Sequence, residues 1–376
     1  PASDAQSGRD QVLMTRILTC GYETGDVAEA GATTTGGASP GTISVVSTVP
    51  TPRAGAYCLK AAYNGTTGSA GAQAYKGYNF GAAKTDVWAR FAFLIHGYQS
   101  TTETMIGQVL DSAAGVQTTL TYLGSDGLLR IRLGPNITGT VLGTATTALS
   151  ADTWHVIEWR TQILTTTTGT TEVWLDGNRV INFSGDNSNT SNVNTQSLLL
   201  GQVNSLGSNA TINGQYIGID DIAINDTNGT VNNGRPGDGR VILLIPNGAG
   251  SSTQWTRGGT DTGANYSQVN ELPPSLLQYN ASSTVGNRDL YALSDIPVVV
   301  QSINVAEVIL LAQNSDAGGG SIGPTLKSGA ITNEATAVSL TATPVYVTAR
   351  YETDPNTSAA WTAAAVNALE VGATVR

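Results

Sequence analysis

Glu172-Val173-Trp174-Leu175-Asp176-Gly177-Asn178-Arg179-Val180-Ile181-Asn182 reads as two short strands folded about a turn. Apolar and polar residues alternate on either side of Asp176-Gly177-Asn178, a turn sequence suited to a tight hairpin. Ser125-Asp126-Gly127 repeats the arrangement between Thr118–Leu123 and Leu128–Leu133. Further strand-like runs occupy Ile43–Val49, Ala56–Tyr63, Val87–Ile95 and His155–Gln162. No long amphipathic helix interrupts the first 230 residues. The spacing therefore predicts an antiparallel, all-β sandwich or barrel rather than a parallel α/β sheet.

Composition agrees. Of 376 residues, 12% are charged, 40% are hydrophobic and 44 are Gly, as expected of β-branched strands joined by turns. The length exceeds what one hydrophobic core usually supports, and Asp226–Asp238, almost free of apolar side chains, marks a boundary. The expected organisation is a β-sandwich over residues 1–230, a linker over 231–240 and a second, smaller β domain over 241–376. Within the last, Val241–Pro246, Ile296–Ile303, Val305–Gln313, Ala337–Thr341 and Pro344–Glu352 read as strands, and Gly318-Gly319-Gly320 as a hairpin tip. A short C-terminal helix is expected over Ala359–Glu370, capped by Thr357 or Ser358 and stopped at Gly372. Its face of Trp361, Ala365 and Leu369 would pack on its own domain or on a neighbouring subunit.

The net charge of -10 argues against nucleic acid as a partner, since phosphate binding needs clustered Lys and Arg. Apolar runs such as Ile296–Val300 and Val308–Ala312 fall well short of the roughly 20 residues a membrane span requires, so no membrane partner is expected. Pro1-Ala2-Ser3-Asp4-Ala5-Gln6 lacks the pattern of a secretory signal, and Pro1 fits loss of an initiator Met. Two cysteines, Cys20 and Cys58, allow neither a disulfide scaffold nor a thiolate zinc cluster and read as buried free thiols.

No arrangement of residues announces chemistry. A retaining glycosidase needs two carboxylates about 5 Å apart, which on a strand means positions i and i+2 or i+4. Glu158 is followed at i+2 by Arg160, and Glu172 meets its next carboxylate at Asp176, in the turn. Asp220 and Asp221 are adjacent, so a regular strand would send them to opposite faces; turn, cap or backbone-binding roles are expected for them. His96 and His155, the two histidines, lie in strand runs and read as strand-lining. No phosphate-binding glycine loop or nucleophile elbow occurs. The expectation is a protein that is not an enzyme and has no catalytic, cofactor-binding or metal-ligating residue. The loop Gly185-Asp186-Asn187-Ser188-Asn189-Thr190-Ser191-Asn192 has the hydrogen-bonding groups of a weak sugar or calcium site, but also the composition of any solvated loop. Asn-x-Thr triplets such as Asn64-Gly65-Thr66 and Asn136-Ile137-Thr138 follow from abundant Asn and Thr.

Trp154-His155-Val156-Ile157-Glu158-Trp159, then Glu172–Gly177, then Ile217-Gly218-Ile219-Asp220-Asp221-Ile222-Ala223-Ile224-Asn225-Asp226 resemble three late strands of a laminin-G/concanavalin-like jelly roll. The resemblance spans roughly residues 10–230 and implies that the last strand returns beside the first, Ile17–Glu23, with Gly55–Lys60 as an early partner. Gly229–Val241, continuing through Thr253-Gln254-Trp255-Thr256, and later Glu352-Thr353-Asp354-Pro355 and Ala360-Trp361-Thr362, are similar to segments that follow such jelly rolls in bacteriophage virion proteins. That second resemblance implies a virion structural protein, decorating the capsid or belonging to the tail or a fibre. Its partners would be other virion proteins and further copies of itself. The alternative is a carbohydrate-binding adhesin that recognises a host-cell glycan.

Overall fold

The computed structural model describes residues 15–36, 41–62, 73–98, 101–205, 214–260, 262–316 and 318–376. Two antiparallel sheets lie face to face in the first part of the chain. The first runs in the order Asn178–Ser184, Thr170–Leu175, His155–Gln162, Asp86–His96, Tyr216–Asp226, Cys58–Ala62, Thr42–Val46, and Arg16–Cys20 also pairs with Tyr216–Asp226. The second runs Val141–Thr144, Leu128–Leu133, Val116–Leu123, Thr104–Leu110, Thr195–Ser205, Gln73–Lys84, Ala32–Gly36. Successive strands alternate between sheets: Cys58–Ala62 in the first leads to Gln73–Lys84 in the second, then Asp86–His96 back in the first. This is the expected jelly-roll sandwich, with the long strand Tyr216–Asp226 paired to Arg16–Cys20 at one end and to Cys58–Ala62 at the other.

Alternation explains the filling. Phe91, Phe93, Ile157, Trp159, Ile217 and Ile219 point inward from the first sheet and meet Tyr78, Ile106, Leu120, Ile131, Leu198 and Leu200 from the second. Gln73–Lys84 departs from the apolar pattern because Lys76 takes an inward position in it. Its ammonium is held by the Val27 and Gly31 carbonyls and Thr33 Oγ1 at 2.7–3.0 Å, and burial pushes it down to about 8. Cys20 and Cys58 are both free and buried.

After residue 245 the chain forms a further sheet in the order Pro246–Thr253, Arg288–Leu293, Glu370–Val375, Gly320–Ser328, Ile331–Glu334, with Val338–Leu340 beside Gly320–Ser328. Two two-stranded ribbons accompany it, Thr256–Gly259 with Gln278–Ala281 and Ala306–Ala312 with Val345–Tyr351. Several expectations need correction here. Val241–Ile245 is not a strand; Val241 is laid against Gly21, and Ile245 bonds Ser294 alone of the neighbouring strand's flank. Ile296–Ile303 is irregular apart from a bridge from Ile303 to Trp361. Gly320 opens a strand instead of forming a hairpin tip. The helix covers Ala363–Asn367 and is capped by Thr362, because Asp354 already holds Thr357 and Asn356. Glu370–Val375, expected at its end, is drawn into the middle of the sheet. Asn64 and the N-terminal Pro1–Gln6 lie outside the described residues.

The segment expected as a linker, residues 231–240, binds the outer face of the first sheet. A β-bulge shifts the register between Asp220 and Ala223, with Asp221 at φ 51°. Because Ile219 and Ile222 both face the core, Asp220 and Asp221 both point outward, against the expectation of opposite faces. Asp220 accepts from the Arg53 amide at 3.0 Å and the Asp221 amide at 2.7 Å. Asp221 accepts from Arg53 Nη1 and from the Val241 amide, both at 2.7 Å. Two strands away, Glu158 accepts from Arg235 Nη1 at 3.0 Å and the Gly237 amide at 2.6 Å, and the Arg235 guanidinium lies 4.0 Å above the Trp174 ring. Arg53 also reaches Asp238, and Arg90 donates to the Gly239 carbonyl. Residues 234–241 are thus a strap over buried charge. The later strands join in where Glu352 accepts from Thr15 and Arg16 amides at 3.1 and 2.8 Å and from Asn232 Nδ2 at 3.0 Å.

Two outcomes follow for stability. Asp221→Ala leaves the Arg53 guanidinium, 8% exposed, without its buried partner and should cost about 3 kcal/mol in urea unfolding, the lower end for breaking a buried pair; a loss within 0.5 kcal/mol of zero, the ordinary surface range, would refute the strap's role. Burial, and then the neighbouring Asp221, push the Asp220 carboxyl from 3.8 up to about 8. The unfolded chain releases that proton near 3.8 and the folded chain near 8, so the folded state binds more protons between them and stability falls as pH rises through that window. Asp220→Asn should flatten this slope, gaining on the native chain from about pH 5 to about pH 8; parallel stability profiles would contradict the assignment.

Candidate functional site

Beside the strap, an open cleft of about 450 Å³ is walled by Arg53, Trp154, Val156, Asp176, Asp238 and Arg240, a volume within the range of small-ligand sites. These side chains come from several parts of the fold. Trp154 immediately precedes the strand His155–Gln162. Its ring spreads across the first sheet over Gly218, where an added Cβ would come within 2.9 Å of it and 3.0 Å of Pro50. The indole nitrogen donates to the Thr51 carbonyl at 2.9 Å, which fixes the ring's edge. Glycine at position 218 is therefore what lets an aromatic ring approach the sheet this closely.

Asp176 comes from the hairpin quoted first, whose turn residues Asp176 and Gly177 have φ of 49° and 82°, the backbone an Asp-Gly turn favours. One carboxylate oxygen accepts from the Val156 amide at 2.8 Å and the other meets His155 Nδ1 at 2.6 Å. The side chain is still 49% exposed toward solvent. Asp238, on the strap, is 64% exposed and paired with Arg53. Arg240 donates to the Arg53 carbonyl at 2.7 Å. The cleft thus sets one aromatic plane among fixed carboxylate acceptors and guanidinium donors. A sugar ring matches this: its C–H face stacks on an indole and its hydroxyls bond to charged groups at the rim.

The residues weighed from sequence fall elsewhere or serve the scaffold. Asp220, Asp221 and Glu158 are held beneath the strap as described, and Glu172 is shared by Arg160 at 3.1 Å, Arg179 at 3.7 Å and the Trp174 indole at 3.1 Å. His155 is buried with both ring nitrogens engaged, by Asp176 and by Ser150. His96 stacks on Tyr216 with ring centroids 4.7 Å apart and meets Asp152 at 2.5 Å. In the loop 185–192, Asn187 is fully buried, donating to Gln162 and Thr170 carbonyls and to Thr171. Its neighbours Asn189 and Thr190 donate backbone amides to Gln117. That loop staples the sandwich, with the Asn187 side chain wholly used internally. Among the described residues no group of three or more His, Cys, Asp or Glu side chains is placed to hold a metal ion. On the outer face of the second sheet Glu103, Arg132 and Thr121 likewise satisfy one another.

Nothing in the sequence marks Arg53, Trp154, Asp238 and Arg240 as site residues. Trp154 stood one residue ahead of a clear strand, and Asp176-Gly177 was read as a turn, so half of the cleft had a local signal. Arg53 and Arg240 are 187 residues apart and carried none.

No protein-family model matches the chain, and no curated protein matches it in sequence. Solved structures do. An endo-β-1,4-glucuronan lyase from the fungus Trichoderma reesei aligns with TM-score 0.44 and 18% identity over 56% of this chain and 96% of that one. An alginate lyase from Chlorella virus aligns with TM-score 0.37 and 13% identity over 50% and 89%. The carbohydrate-binding module CBM66 from Bacillus subtilis aligns with TM-score 0.32 and 11% identity over 52% and 97%. These matches correct the expectation that the chain is not an enzyme. That expectation rested on a missing carboxylate pair, on two strand-lining histidines and on the lack of a phosphate loop or nucleophile elbow, whereas two of these three matched sandwiches are lyases. What the chain shares with all three is a β-sandwich jelly-roll architecture.

Proposed function

We propose that the chain recognises a carbohydrate polymer in the Trp154 cleft and does so on the surface of a bacteriophage particle. The observation that carries the first half is the Trp154 ring, held against Gly218 by its bond to Thr51 in the same cleft as the anchored Asp176 carboxylate. An aromatic ring and charged groups at the rim of an open cleft suit a polyhydroxylated ligand. The second half is supported by the similarity of 229–256 and of Glu352–Pro355 and Ala360–Thr362 to segments of phage virion proteins. On this reading residues 241–376 are an attachment half, joined to the jelly roll by the strap and by Glu352.

Binding is measured by titrating host-envelope polysaccharides and oligosaccharides into the full chain, with released reducing ends followed in the same mixtures to read any turnover. Trp154→Ala should weaken binding at least about tenfold, or about 1.4 kcal/mol, and Gly218→Val should do the same by displacing the ring without removing any cleft side chain. Saturable binding that neither substitution weakens would reject the cleft. Absence of the chain from purified particles, tested by labelling and imaging, would reject the virion half.

A further inference from the structure

We infer that the Trp154 cleft selects a glycan bearing free amino groups, a polymer of unacylated amino sugars, over neutral and uronic acid polymers. The inference rests on the carbohydrate reading above and adds the charge of the ligand to it.

Carboxylates outnumber guanidiniums in and beneath the cleft. Arg53 meets two of them, the buried Asp221 at 2.7 Å and Asp238 on the strap. Arg240 is exposed and gives an N–H to the Arg53 carbonyl. Asp220, bonded to the same loop, keeps its proton up to about 8 because it is buried, and so adds no charge near neutral pH. Two guanidiniums therefore stand against three carboxylates, Asp176, Asp221 and Asp238. The histidine bonded to Asp176 does not cancel its charge. The Ser150 amide donates to His155 Nε2 at 3.1 Å, which makes that nitrogen the acceptor and leaves the ring's proton on Nδ1, toward Asp176.

The accessible part of this balance is the acidic part. Arg53 is 8% exposed, whereas Asp176 and Asp238 are 49% and 64% exposed. Asp238 binds Arg53 through Oδ1, and its Oδ2 has no protein partner among the described residues. A ligand that settles in the cleft takes water away from these carboxylates. A neutral ring would leave their excess charge uncompensated, and a uronate would set like charges together. An ammonium group offsets the excess and makes charge-assisted hydrogen bonds to oxygens that can still accept. It is also attracted to the face of an indole, which Trp154 supplies. The rest of the chain acts in the same sense, since a net charge of -10 repels polyanions and attracts polycations.

The test titrates three oligomers of equal length into the full chain at about pH 6, below the range of an amino group. They are β-1,4-linked glucosamine, its fully N-acetylated form, and glucuronic acid. Glucosamine should bind at least about tenfold tighter than the N-acetylated oligomer, with no saturable binding of glucuronate. Raising the salt from about 0.05 M to about 0.5 M should remove most of that preference, a result read on the native chain alone. Asp238→Asn keeps the side chain's shape and should bring the two glucosamine oligomers within about twofold of each other, while Asp238→Glu should retain the preference. Glucuronate binding, equal binding of the two glucosamine oligomers, or a preference indifferent to salt and to Asp238→Asn would overturn the inference and leave the carbohydrate cleft standing. Absence of saturable glucosamine binding would overturn it too, and the polysaccharide titration above then decides whether the cleft reading falls with it.

Discussion

Asp220 and Asp221 leave a regular strand on the same side, and nothing on that strand can satisfy both. Adjacent carboxylates turned onto one face of a sheet are tolerated when donors are brought to them, because an unpaired buried charge costs several kcal/mol. The donors come from far along the chain: Arg53 from the loop before Cys58, and Val241 from beyond the jelly roll. Once those are in place, the strap between Gly234 and Val241 has to cross the outer face, and its Arg235 and Gly237 fall upon Glu158. One bulge in the strand Tyr216–Asp226 therefore dictates where the chain runs after leaving the sandwich.

The cleft is a by-product of that route. Arg53 and Asp238 meet through the bulge, Arg240 closes over the Arg53 carbonyl, and the hairpin Asp176-Gly177 supplies the opposite wall. Gly218, two residues before the bulge, leaves room for Trp154. Rigidity follows from the same contacts: Trp154, Asp176, Asp238 and Arg240 each make a hydrogen bond within the fold, so less order has to be gained when a ligand arrives.

The jelly roll was legible in the sequence because strands of both sheets carry a clear apolar pattern; His155–Gln162 in the first and Leu128–Leu133 in the second have the same bounds in sequence and structure. The strands that escaped notice carry polar or glycine residues where the pattern calls for apolar ones. Lys76 interrupts the inward row of Gln73–Lys84, and Gly107 sits in Thr104–Leu110 where an added Cβ would lie 3.3 Å from Trp159. Beyond residue 240 apolar runs misled, since Val241–Ile245 is used for surface packing, whereas Pro246–Thr253, with little apolar character, pairs as a strand. The Asp220-Asp221 pair was noticed, but a bulge has no sequence signature strong enough to place both on one face. Arg53 and Arg240 could be joined only by the fold.

The most direct measurement is a crystal structure of the chain soaked with an oligosaccharide it binds in solution. The account predicts a sugar ring stacked on Trp154 with hydroxyls on Asp176 or Asp238 and the strap unmoved. Ordered sugar on the outer face of the second sheet, with the Trp154 cleft empty, would contradict it.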